Sequence, residues 1–368
     1  MAEQNETLPI HALSGGSRRE TTAMTIAKTM HALLQKHDGY SGTQTGILFD
    51  TMEPFIENGE IAVPEPQDGQ VLIRTRLANI NPSDLHFIKG EYGQPRRKGF
   101  PAGFEGVGDV VSGKGSYAEK LVGKRVAFSV SMDGSGSWAD YALTAAHNCI
   151  PVRSDMQDVD AAGHIVNPLT AYAMFQIVRQ AESKSFIQTA GASQVSKLVT
   201  SLARDEGYRA IVFVRRREMI EPLKALGAAH VLVETDPDVL DQFRAIARQE
   251  KPRVMLDAVA NQLSADIFFA MPNRANWVIY GKLDSSAISA RELGQFIFMS
   301  KSITGFWLTE WFRDTPPEEQ IRVIGEVQQR FVDRRWTTDV AEIIPLKNAI
   351  EKLPAALAAR NGKILLSP

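Results

Sequence analysis

Residues 186–218 read FIQTAGASQVSKLVTSLARDEGYRAIVFVRRRE, and this stretch decides the fold. The apolar run 186–189 predicts a short strand, and the small residues at 190–196 predict a tight turn after it. Apolar residues then recur at helical spacing, and residues 210–214 predict a second buried strand. Two parallel strands joined in this way need a crossover helix, which is normally right-handed. The apolar face of that helix consists of Val195, Leu198, Val199 and Leu202.

The turn and the end of the second strand predict a nucleotide cofactor. Small residues at the turn allow a pyrophosphate to approach backbone N–H groups at the positive end of the helix. The second strand is followed by Arg215, Arg216 and Arg217. An acidic residue at this point would accept a hydrogen bond from a free ribose 2′-hydroxyl, whereas guanidinium groups suit a 2′-phosphate. The sequence therefore predicts NADPH rather than NADH.

The glycine fingerprint of such turns is incomplete. Instead of a G-x-G-x-x-G pattern, the small residues Ala190, Ser193 and Ser196 mark the turn. Taken alone, small residues in a turn are also explained by packing, and arginines after a strand by solvation. The two features occur at the separation that a dinucleotide site requires, which favours the cofactor interpretation.

The rest of the C-terminal half alternates strand patterns with amphipathic helix patterns. This alternation predicts a doubly wound parallel sheet, the Rossmann arrangement of the α/β class. Further strands are predicted at 230–232, 254–259 and 277–281, and helices at 171–178, 221–226, 237–248, 264–270, 320–330 and 346–359.

Composition excludes several classes of protein. The 368 residues suffice for two domains, and 44% hydrophobic with 23% charged residues is ordinary for a globular chain. A net charge of −2 gives no basic field for nucleic acid or an anionic membrane, and no apolar run is long enough for a membrane span. The single cysteine, Cys149, excludes an internal disulfide and a multi-cysteine zinc site. We expect a cytoplasmic protein that is not secreted, with an organelle matrix left open.

The N-terminal half has a different pattern. Residues 1–29 are polar, contain Gly-Gly-Ser and no apolar segment of signal-peptide type, and predict a flexible tail. The alternation at 71–77 predicts an antiparallel β-rich unit. Asn81 precedes a predicted short helix at 85–89, which ends before Tyr92 and leaves it on a loop.

Several motifs occur in one order along residues 30–368. They are NINPSDLHFIKGEYG (79–93), FEGVGDVV (104–111), GSWADY (136–141), IVNPLTAYAM (165–174), LKALGAAHVL (223–232), YGK (280–282) and GKILL (362–366). Together they resemble the medium-chain dehydrogenase/reductase superfamily, in the zinc-free branch of quinone reductases and enoyl thioester reductases. The resemblance implies a GroES-like, β-rich catalytic domain at 30–160 and 301–368, and a Rossmann NADPH-binding domain at 161–300.

The residues argue against a catalytic zinc ion. Such a site needs about three protein ligands from Cys, His, Asp or Glu. Asn81 stands where zinc members of the superfamily carry their first cysteine, and their His-Glu pair is matched by Phe104 and Glu105. His86 and Glu105 remain as two scattered groups, so we expect no metal. His86 is interpreted as solvated or packed against its helix.

The stretch ITGFWLTEWF (303–312) resembles mitochondrial-type trans-2-enoyl thioester reductases. That family reduces 2-enoyl-CoA or 2-enoyl-acyl carrier protein with NADPH, and its active-site tyrosine lies in a GxYG segment matched here by residues 90–93. The resemblance therefore implies that Tyr92 is the catalytic acid. A phenol is chemically suited to stabilise an enolate oxygen and to supply a proton. The alternative is an aromatic residue that packs between the domains.

The same resemblance assigns the cofactor contacts. Asn167 and Thr170 are expected near the nicotinamide, with simple capping of the following helix as the alternative. Lys363 is expected near the cofactor phosphates, with a solvated lysine as the alternative. The other expected contacts are Ala192, Ser193, Gln194 and Val195 at the pyrophosphate, and Tyr280, Gly281, Phe306 and Trp307 on the nicotinamide side.

We therefore expect NADPH-dependent reduction of the C=C bond of an α,β-unsaturated carbonyl, with a 2-enoyl thioester of CoA or acyl carrier protein as the favoured substrate. A quinone or free-enone reductase is left open, as is a non-catalytic nucleotide-binding protein of this fold. Arg96, Arg97 and Lys98 are candidates for binding CoA phosphates or an acidic carrier, with a solvated turn as the alternative. The resemblance also implies a homodimer formed through an edge strand of the nucleotide sheet. Aromatic candidates for the substrate pocket are Phe104, Phe306, Trp307, Trp311 and Phe312.

Overall fold

A computed structural model describes residues 26–130, 134–359 and 362–368. Its strands are β1 (Thr29–Gln35), β2 (Ile56–Ala62), β3 (Gln70–Asn79), β4 (Glu105–Gly113), β5 (Arg125–Ser129), β6 (Tyr141–Ala145), β7 (Cys149–Pro151), β8 (Ser185–Gln188), β9 (Arg209–Val214), β10 (His230–Val233), β11 (Val254–Asp257), β12 (Asn276–Ile279), β13 (Ser302–Gly305), β14 (Val340–Pro345) and β15 (Lys363–Ser367). Its helices are α1 (Pro82–Lys89), α2 (Ser116–Glu119), α3 (Asp158–Ala162), α4 (Val166–Gln180), α5 (Gln194–Asp205), α6 (Ile220–Leu226), α7 (Val239–Glu250), α8 (Gln262–Ala270), α9 (Gly294–Phe298), α10 (Leu308–Asp314), α11 (Pro317–Val332) and α12 (Ala349–Ala359).

The C-terminal half contains a parallel sheet with helices on both faces. In the described part of the chain, six strands follow the order β10-β9-β8-β11-β12-β13, and all of their pairings are parallel. Phe175 of α4, Val199 of α5 and Leu223 of α6 share one buried cluster, whereas Phe243 of α7 and Phe268 of α8 belong to another. The predicted strand–turn–helix–strand unit is β8, α5 and β9, and the doubly wound nucleotide domain is confirmed.

The N-terminal half supplies most of a second, largely antiparallel sheet. Its order among the described strands is β14-β15-β3-β4-β5-β7, with β6 paired to the other part of β3. β1 and β2 form a separate antiparallel pair. Val71, Ile73, Val126 and Phe128 are fully buried in one cluster of this unit, as the alternation along β3 predicts. The β-rich unit is therefore confirmed, and β14 and β15 return to it from the C-terminus.

The boundaries between the two units differ from the prediction. β13 pairs with β12, so residues 302–305 belong to the nucleotide sheet and not to a catalytic segment that begins at 301. The helix expected at 320–330 is α11; it packs against α4, and its Val323 and Phe331 enter the cluster that holds Phe175. These contacts arise because the apolar face of α11 has its complement on α4. The predicted tail at 1–29 falls mostly outside the described residues, and its last residue, Thr29, begins β1.

Helix α1 begins earlier than the sequence indicates. Pro82 occupies its first turn, where a missing backbone N–H costs nothing, and Asn81 is the residue that precedes it. Asp84 accepts the backbone N–H of Asn81 at 2.7 Å, and Gly90 ends the helix with φ +77°. The helix therefore delivers the chain directly into the loop that carries Tyr92. Among the described residues, no helix combines the length and apolar character that crossing a bilayer requires.

Candidate active site

The turn between β8 and α5 depends on small side chains. A Cβ atom at Gly191 would lie 2.0 Å from a methyl group of Val212, so only glycine fits there. Ser193 precedes α5, and its hydroxyl accepts the backbone N–H of Ser196 at 3.3 Å. The Ser196 hydroxyl in turn donates to the Thr189 carbonyl at 3.2 Å. The backbone is thus held close to the start of a 12-residue helix, an arrangement that fits the pyrophosphate of a dinucleotide.

Tyr280 lies beside this turn. It follows β12, and the nearby hydroxyls of Ser196 and Ser193 act to lower the pKa of its phenol. Burial raises the pKa of Tyr280 to about 12, so its hydroxyl is protonated at neutral pH. The structure therefore brings the two serines that replace fingerprint glycines together with one of the residues predicted on the nicotinamide side.

The other predicted residues of the turn divide into two groups. Ala192 and Val195 are half-buried at the start of α5. The side chain of Gln194 instead bridges to the β-rich unit: it donates to the Thr337 carbonyl at 2.7 Å and accepts the Asp339 N–H at 3.3 Å. A pyrophosphate contact by the Gln194 side chain would break these bonds.

The three arginines are exposed beyond the end of β9, but their environments differ. Arg217 forms an ion pair with Asp236, and Arg216 lies 3.5 Å from a Glu218 oxygen. Arg215 faces Glu234, whose pKa is raised by burial although the guanidinium of Arg215 acts to lower it. The cluster is therefore a partly neutralised basic surface, and Glu234, on which Arg215 acts, lines a cleft with Thr189, Val259 and Asn261.

Asp257 organises that cleft, a role that sequence analysis did not assign to it. The carboxylate is fully buried at the end of β11 and accepts the Thr189 hydroxyl at 2.5 Å and the Trp277 indole N–H at 2.8 Å. It also accepts the Ser264 hydroxyl and the backbone N–H of Val259. The position of Asp257 at the end of a buried strand was the only sequence signal for such a role. Its hydrogen-bond donors come from four separate segments, so the sequence could not show that they converge.

Tyr92 lies in the cleft between the two units. Its hydroxyl oxygen accepts the indole N–H of Trp307 at 3.0 Å. Its ring packs against Phe104, at 5.3 Å between centroids, on the side of the β-rich unit. Burial raises the pKa of Tyr92, and the negative charge of Asp84 acts in the same direction. Tyr92 is therefore a protonated phenol that bridges both units, so its packing role and its proposed chemical role are compatible.

The pocket candidates partly assemble around Tyr92. Phe104 and Trp307 contact its ring, and Phe306 is half-buried between β13 and α10. Trp311 and Phe312 pack against each other and against the α4 cluster instead. Gly281 lies where a Cβ atom would be 3.0 Å from the Ala258 carbonyl, so the backbone there is tightly packed.

A buried polar network surrounds Asn81 and Glu105, two residues that the sequence resemblance matches to ligand positions of zinc members. One Glu105 oxygen accepts the amides of Asn79 and Asn81, each at 2.6 Å. The other accepts the backbone N–H groups of Ile165 and Val166 at 3.2 and 2.8 Å, at the start of α4. Within the described ranges, no three metal-ligating side chains come together. Glu105 therefore joins β4 to the helix that leads into the nucleotide unit.

Lys363 belongs to this network. Its ammonium group donates to the Ile80 carbonyl at 2.6 Å and to the Asn81 side-chain oxygen at 2.7 Å. Burial lowers the pKa of Lys363 to about 8, although the negative charge of Glu105 acts to raise it. These bonds hold the lysine in the β-rich unit, and its predicted contact with the cofactor phosphates stays a prediction.

Asn167 and Thr170 are both buried near the start of α4. Asn167 donates to the Asn81 side-chain oxygen at 3.1 Å and thereby joins the same network. It does not cap the helix, since α4 begins at Val166. Its contact with a nicotinamide stays a prediction.

The members of the basic cluster beside Tyr92 have different environments. Arg96 is 8% exposed and donates to the carbonyls of Gly39 and Asp38, because the turn folds over its side chain. Arg97 stacks its guanidinium 3.5 Å from the ring centre of Phe100. Arg96 therefore has a structural role, and binding of CoA phosphates or an acidic carrier by this cluster stays a prediction. His86, for which the sequence left two interpretations, lies 3.3 Å from a Glu91 oxygen.

Two family models match the chain. The alcohol dehydrogenase GroES-like domain matches residues 67–154, and the zinc-binding dehydrogenase domain matches residues 195–324. The chain is 53% identical to a candidate NADPH:quinone reductase of Mesorhizobium loti, whose crystal structure superposes with a TM-score of 0.91 over 94% of this chain and 100% of that one. The chain belongs to the zinc-free branch of the medium-chain dehydrogenase/reductase superfamily.

More distant members of the superfamily are named as enoyl reductases. Human mitochondrial enoyl-[acyl-carrier-protein] reductase is 29% identical over 82% of this chain and 81% of its own length. The mitochondrial 2-enoyl thioester reductase heterodimer of Candida tropicalis superposes with a TM-score of 0.76 at 21% identity, over 92% of this chain and 100% of that one, which supports the fold alone. The predicted superfamily and oxidoreductase class are confirmed, and the Mesorhizobium loti relative is itself named for NADPH.

The Glu105 network yields a prediction about stability. The two oxygens of Glu105 accept hydrogen bonds from four donor groups. Glu105→Gln replaces one oxygen by an NH2 group, which would face donors in place of an acceptor. The free energy of unfolding should therefore fall by about 3 to 5 kcal/mol. Lys363→Met should lower the free energy of unfolding by less. The double variant should lose less than the sum of the two single losses, because neither buried charge then remains without the other. Urea unfolding of all three variants, with the exposed Glu57→Gln as control, measures this coupling. Strictly additive losses would contradict it.

Proposed function

We propose that the protein reduces the C=C bond of an α,β-unsaturated carbonyl with NADPH, and that its favoured substrate is a 2-enoyl thioester. The observation that carries this proposal is Tyr92, a half-buried, protonated phenol that faces the cleft between the β-rich unit and the nucleotide turn. When NADPH is bound, its nicotinamide supplies a hydride to the β-carbon of such a substrate. Cofactor and substrate sites in this superfamily are expected to meet in that cleft.

The residues of the nucleotide unit support binding of a phosphorylated dinucleotide. The backbone at Gly191 and Ser193 leaves the start of α5 accessible at close range. Arg215 and Arg216 lie where β9 ends, at the expected position of the 2′-phosphate. The cleft at Glu234 and Asn261 is suited in position to the adenosine. We assign these residues to the cofactor on this basis.

The hydrogen bond from Trp307 fixes what the Tyr92 phenol can do. Because Tyr92 oxygen already accepts the indole N–H, its own proton is available to a carbonyl oxygen in the cleft. Hydride addition at the β-carbon moves the π electrons of the C=C bond toward that oxygen. A phenol O–H stabilises the resulting enolate. The α-carbon then takes one proton, from Tyr92 or from water, which completes the saturated product.

The choice of substrate rests on the relatives. The proteins named as enoyl-[acyl-carrier-protein] reductases support a thioester on CoA or on a carrier protein. The second candidate is a quinone, which is favoured by the 53% identity to the candidate quinone reductase. The predicted cytoplasmic location stays a prediction, since the curated relatives are mitochondrial.

The proposal is tested by NADPH oxidation with crotonyl-CoA, a long 2-enoyl-CoA, a quinone and a simple enone. A thioester should give the highest kcat/KM. Tyr92→Phe should lower kcat by roughly 100-fold or more, because the donor to the enolate oxygen is lost while the ring remains. Tyr117→Phe, at an exposed tyrosine of α2, is the matched control. Unchanged turnover in Tyr92→Phe would overturn the acid role, and preference for the quinone would favour the second candidate.

Cofactor selectivity gives a separate prediction. Arg215→Ala combined with Arg216→Ala should weaken NADPH binding by about 10- to 100-fold, since hydrogen bonds to a charged phosphate are lost. NADH binding should change little, because NADH lacks the 2′-phosphate. Fluorescence titration with both cofactors measures the effect, and Arg248→Ala on α7 serves as control. Equal losses for the two cofactors would identify the arginines as a surface cluster only.

We propose that a second copy of this chain pairs with the edge strand β13. All four β13 residues are exposed, and Ser302 donates its N–H to Ala275 next to β12. By alternation, the N–H of Ile303 points away from the sheet. Nearby Ile297 and Phe298 are 75% and 85% exposed, which gives the edge an apolar flank. An unpaired strand with apolar neighbours favours strand-to-strand association.

Ile303→Pro tests this interface, because it removes one outward donor without touching the pairing to β12. Light scattering with size exclusion should give a dimer for the wild-type chain and for Ile303→Ala, and a monomer for Ile303→Pro. A monomeric wild-type chain would refute the interface.

A further inference from the structure

Residues 39–46 form a polar segment, here called the strap, between β1 and the region before β2. The sequence of the strap is GYSGTQTG, and it forms neither helix nor strand. Its start pairs with the Tyr92 loop, since Gly39 and Arg96 exchange backbone hydrogen bonds at 3.0 and 3.1 Å. The N–H of Ser41 then donates to the Gly90 carbonyl at 3.0 Å. The strap therefore runs along the loop that carries the proposed catalytic acid.

Glu91 anchors the middle of the strap. One oxygen of its carboxylate accepts the Thr45 N–H at 2.7 Å, the Thr45 hydroxyl at 2.9 Å and the Thr43 hydroxyl at 3.1 Å. The other oxygen lies 3.3 Å from His86. The Glu91 side chain is only 3% exposed. Burial acts to raise the pKa of Glu91, but the hydrogen bonds from Thr45, His86 and Thr43 outweigh it, and the pKa lies below its ordinary value.

Lys89 binds the C-terminal end of the strap. Its buried ammonium group donates to the Gly46 carbonyl at 2.7 Å and to the Leu48 carbonyl at 2.6 Å. The same group lies 4.1 Å from the ring centre of Phe49. Both buried charges, Lys89 and Glu91, thus bind the strap from the short segment that ends α1 and begins the Tyr92 loop.

The far side of the strap reaches the nucleotide unit. Gln44 accepts a hydrogen bond from Lys282, which directly follows Gly281. Gly46 also lies against the Leu283 carbonyl, since a Cβ atom there would be 4.0 Å away. The strap therefore spans from the catalytic loop to the segment that follows Tyr280, across one side of the cleft.

We propose that Glu91 is a positioning residue, which holds the strap across the substrate side of the cleft and thereby fixes the loop of Tyr92. This inference rests on the proposed reduction at Tyr92. Glu91 and Tyr92 are adjacent, so a carboxylate fixed by four contacts limits the backbone freedom of the acid. The strap carries hydroxyl and amide groups and no charge. The strap therefore helps to retain the acyl or ring substrate, and it does not bind the phosphates of NADPH.

Kinetics tests this role. Glu91→Ala should raise KM for the reducible substrate by about 10-fold, because hydrogen bonds to a charged group are lost and the strap opens. The Kd for NADPH should stay the same. Glu91→Gln keeps an oxygen acceptor for Thr45 and should recover most of the loss. Gln44→Ala should raise KM in the same direction, whereas Glu57→Ala, on exposed β2, should leave the kinetics unchanged.

A spin label on the strap tests closure without any assay of turnover. Tyr40 is 61% exposed and Cys149 is buried, so Tyr40→Cys provides a single accessible thiol. The label should be mobile when Glu91→Ala is added and restricted when Glu91 is retained. Equal label mobility with and without Glu91→Ala would refute the claim that Glu91 holds the strap. Greater mobility in Glu91→Ala with an unchanged KM would refute the claim that the strap retains substrate. Loss of all reductase activity in the wild-type chain would instead refute the proposed function, while the label still decides whether Glu91 holds the strap.

Discussion

The carboxylate of Glu105 is the contact on which the placement of the two units depends. It lies at the start of β4 and is 1% exposed. Through one oxygen it holds the side chains of Asn79 and Asn81, and through the other it holds the first N–H groups of α4. An ionised carboxylate is favoured at the positive end of a 15-residue helix. The strand that leads away from Phe104 and the helix that leads into the nucleotide sheet are thus fixed to one point.

The same network connects the buried polar side chains around Asn81 to one another. Asn81 donates to Glu105 and accepts from Lys363, so one amide connects a buried anion to a buried cation. Burying two opposite charges gains little net stability by itself, because desolvation opposes their attraction. It does impose geometry, since every donor must find its acceptor. We infer that the network serves to orient α1 and α4 more than to stabilise the fold.

The fold could be predicted from the sequence more completely than the candidate site. The α5 turn was readable from Gly191 to Ser196 because a local backbone constraint dictates small residues there. Lys363 was not readable in the same way: its partners, Ile80 and Asn81, lie more than 280 positions earlier in the chain. Asp257 likewise gains its donors only when β8, β12 and α8 meet. The exposed edge of β13 was assigned to the wrong unit because four residues carry too little pattern to reveal their pairing.

Tyr92 shows why a two-unit cleft needs contacts across it. The proposed acid belongs to the β-rich unit, whereas the nucleotide turn belongs to the parallel sheet. A small rotation between these units would change the separation of donor and cofactor, and reaction rates depend steeply on such distances. The indole of Trp307 donates a hydrogen bond across the cleft to Tyr92. Lys282 of the nucleotide unit donates a hydrogen bond to Gln44 of the strap. The first contact leaves the phenol proton free to donate into the cleft, and the second joins the strap to the nucleotide unit. Tyr92 directly follows Glu91, and Gln44 belongs to the strap that Glu91 and Lys89 bind, so in the proposed mechanism both bridges depend on these two charged side chains.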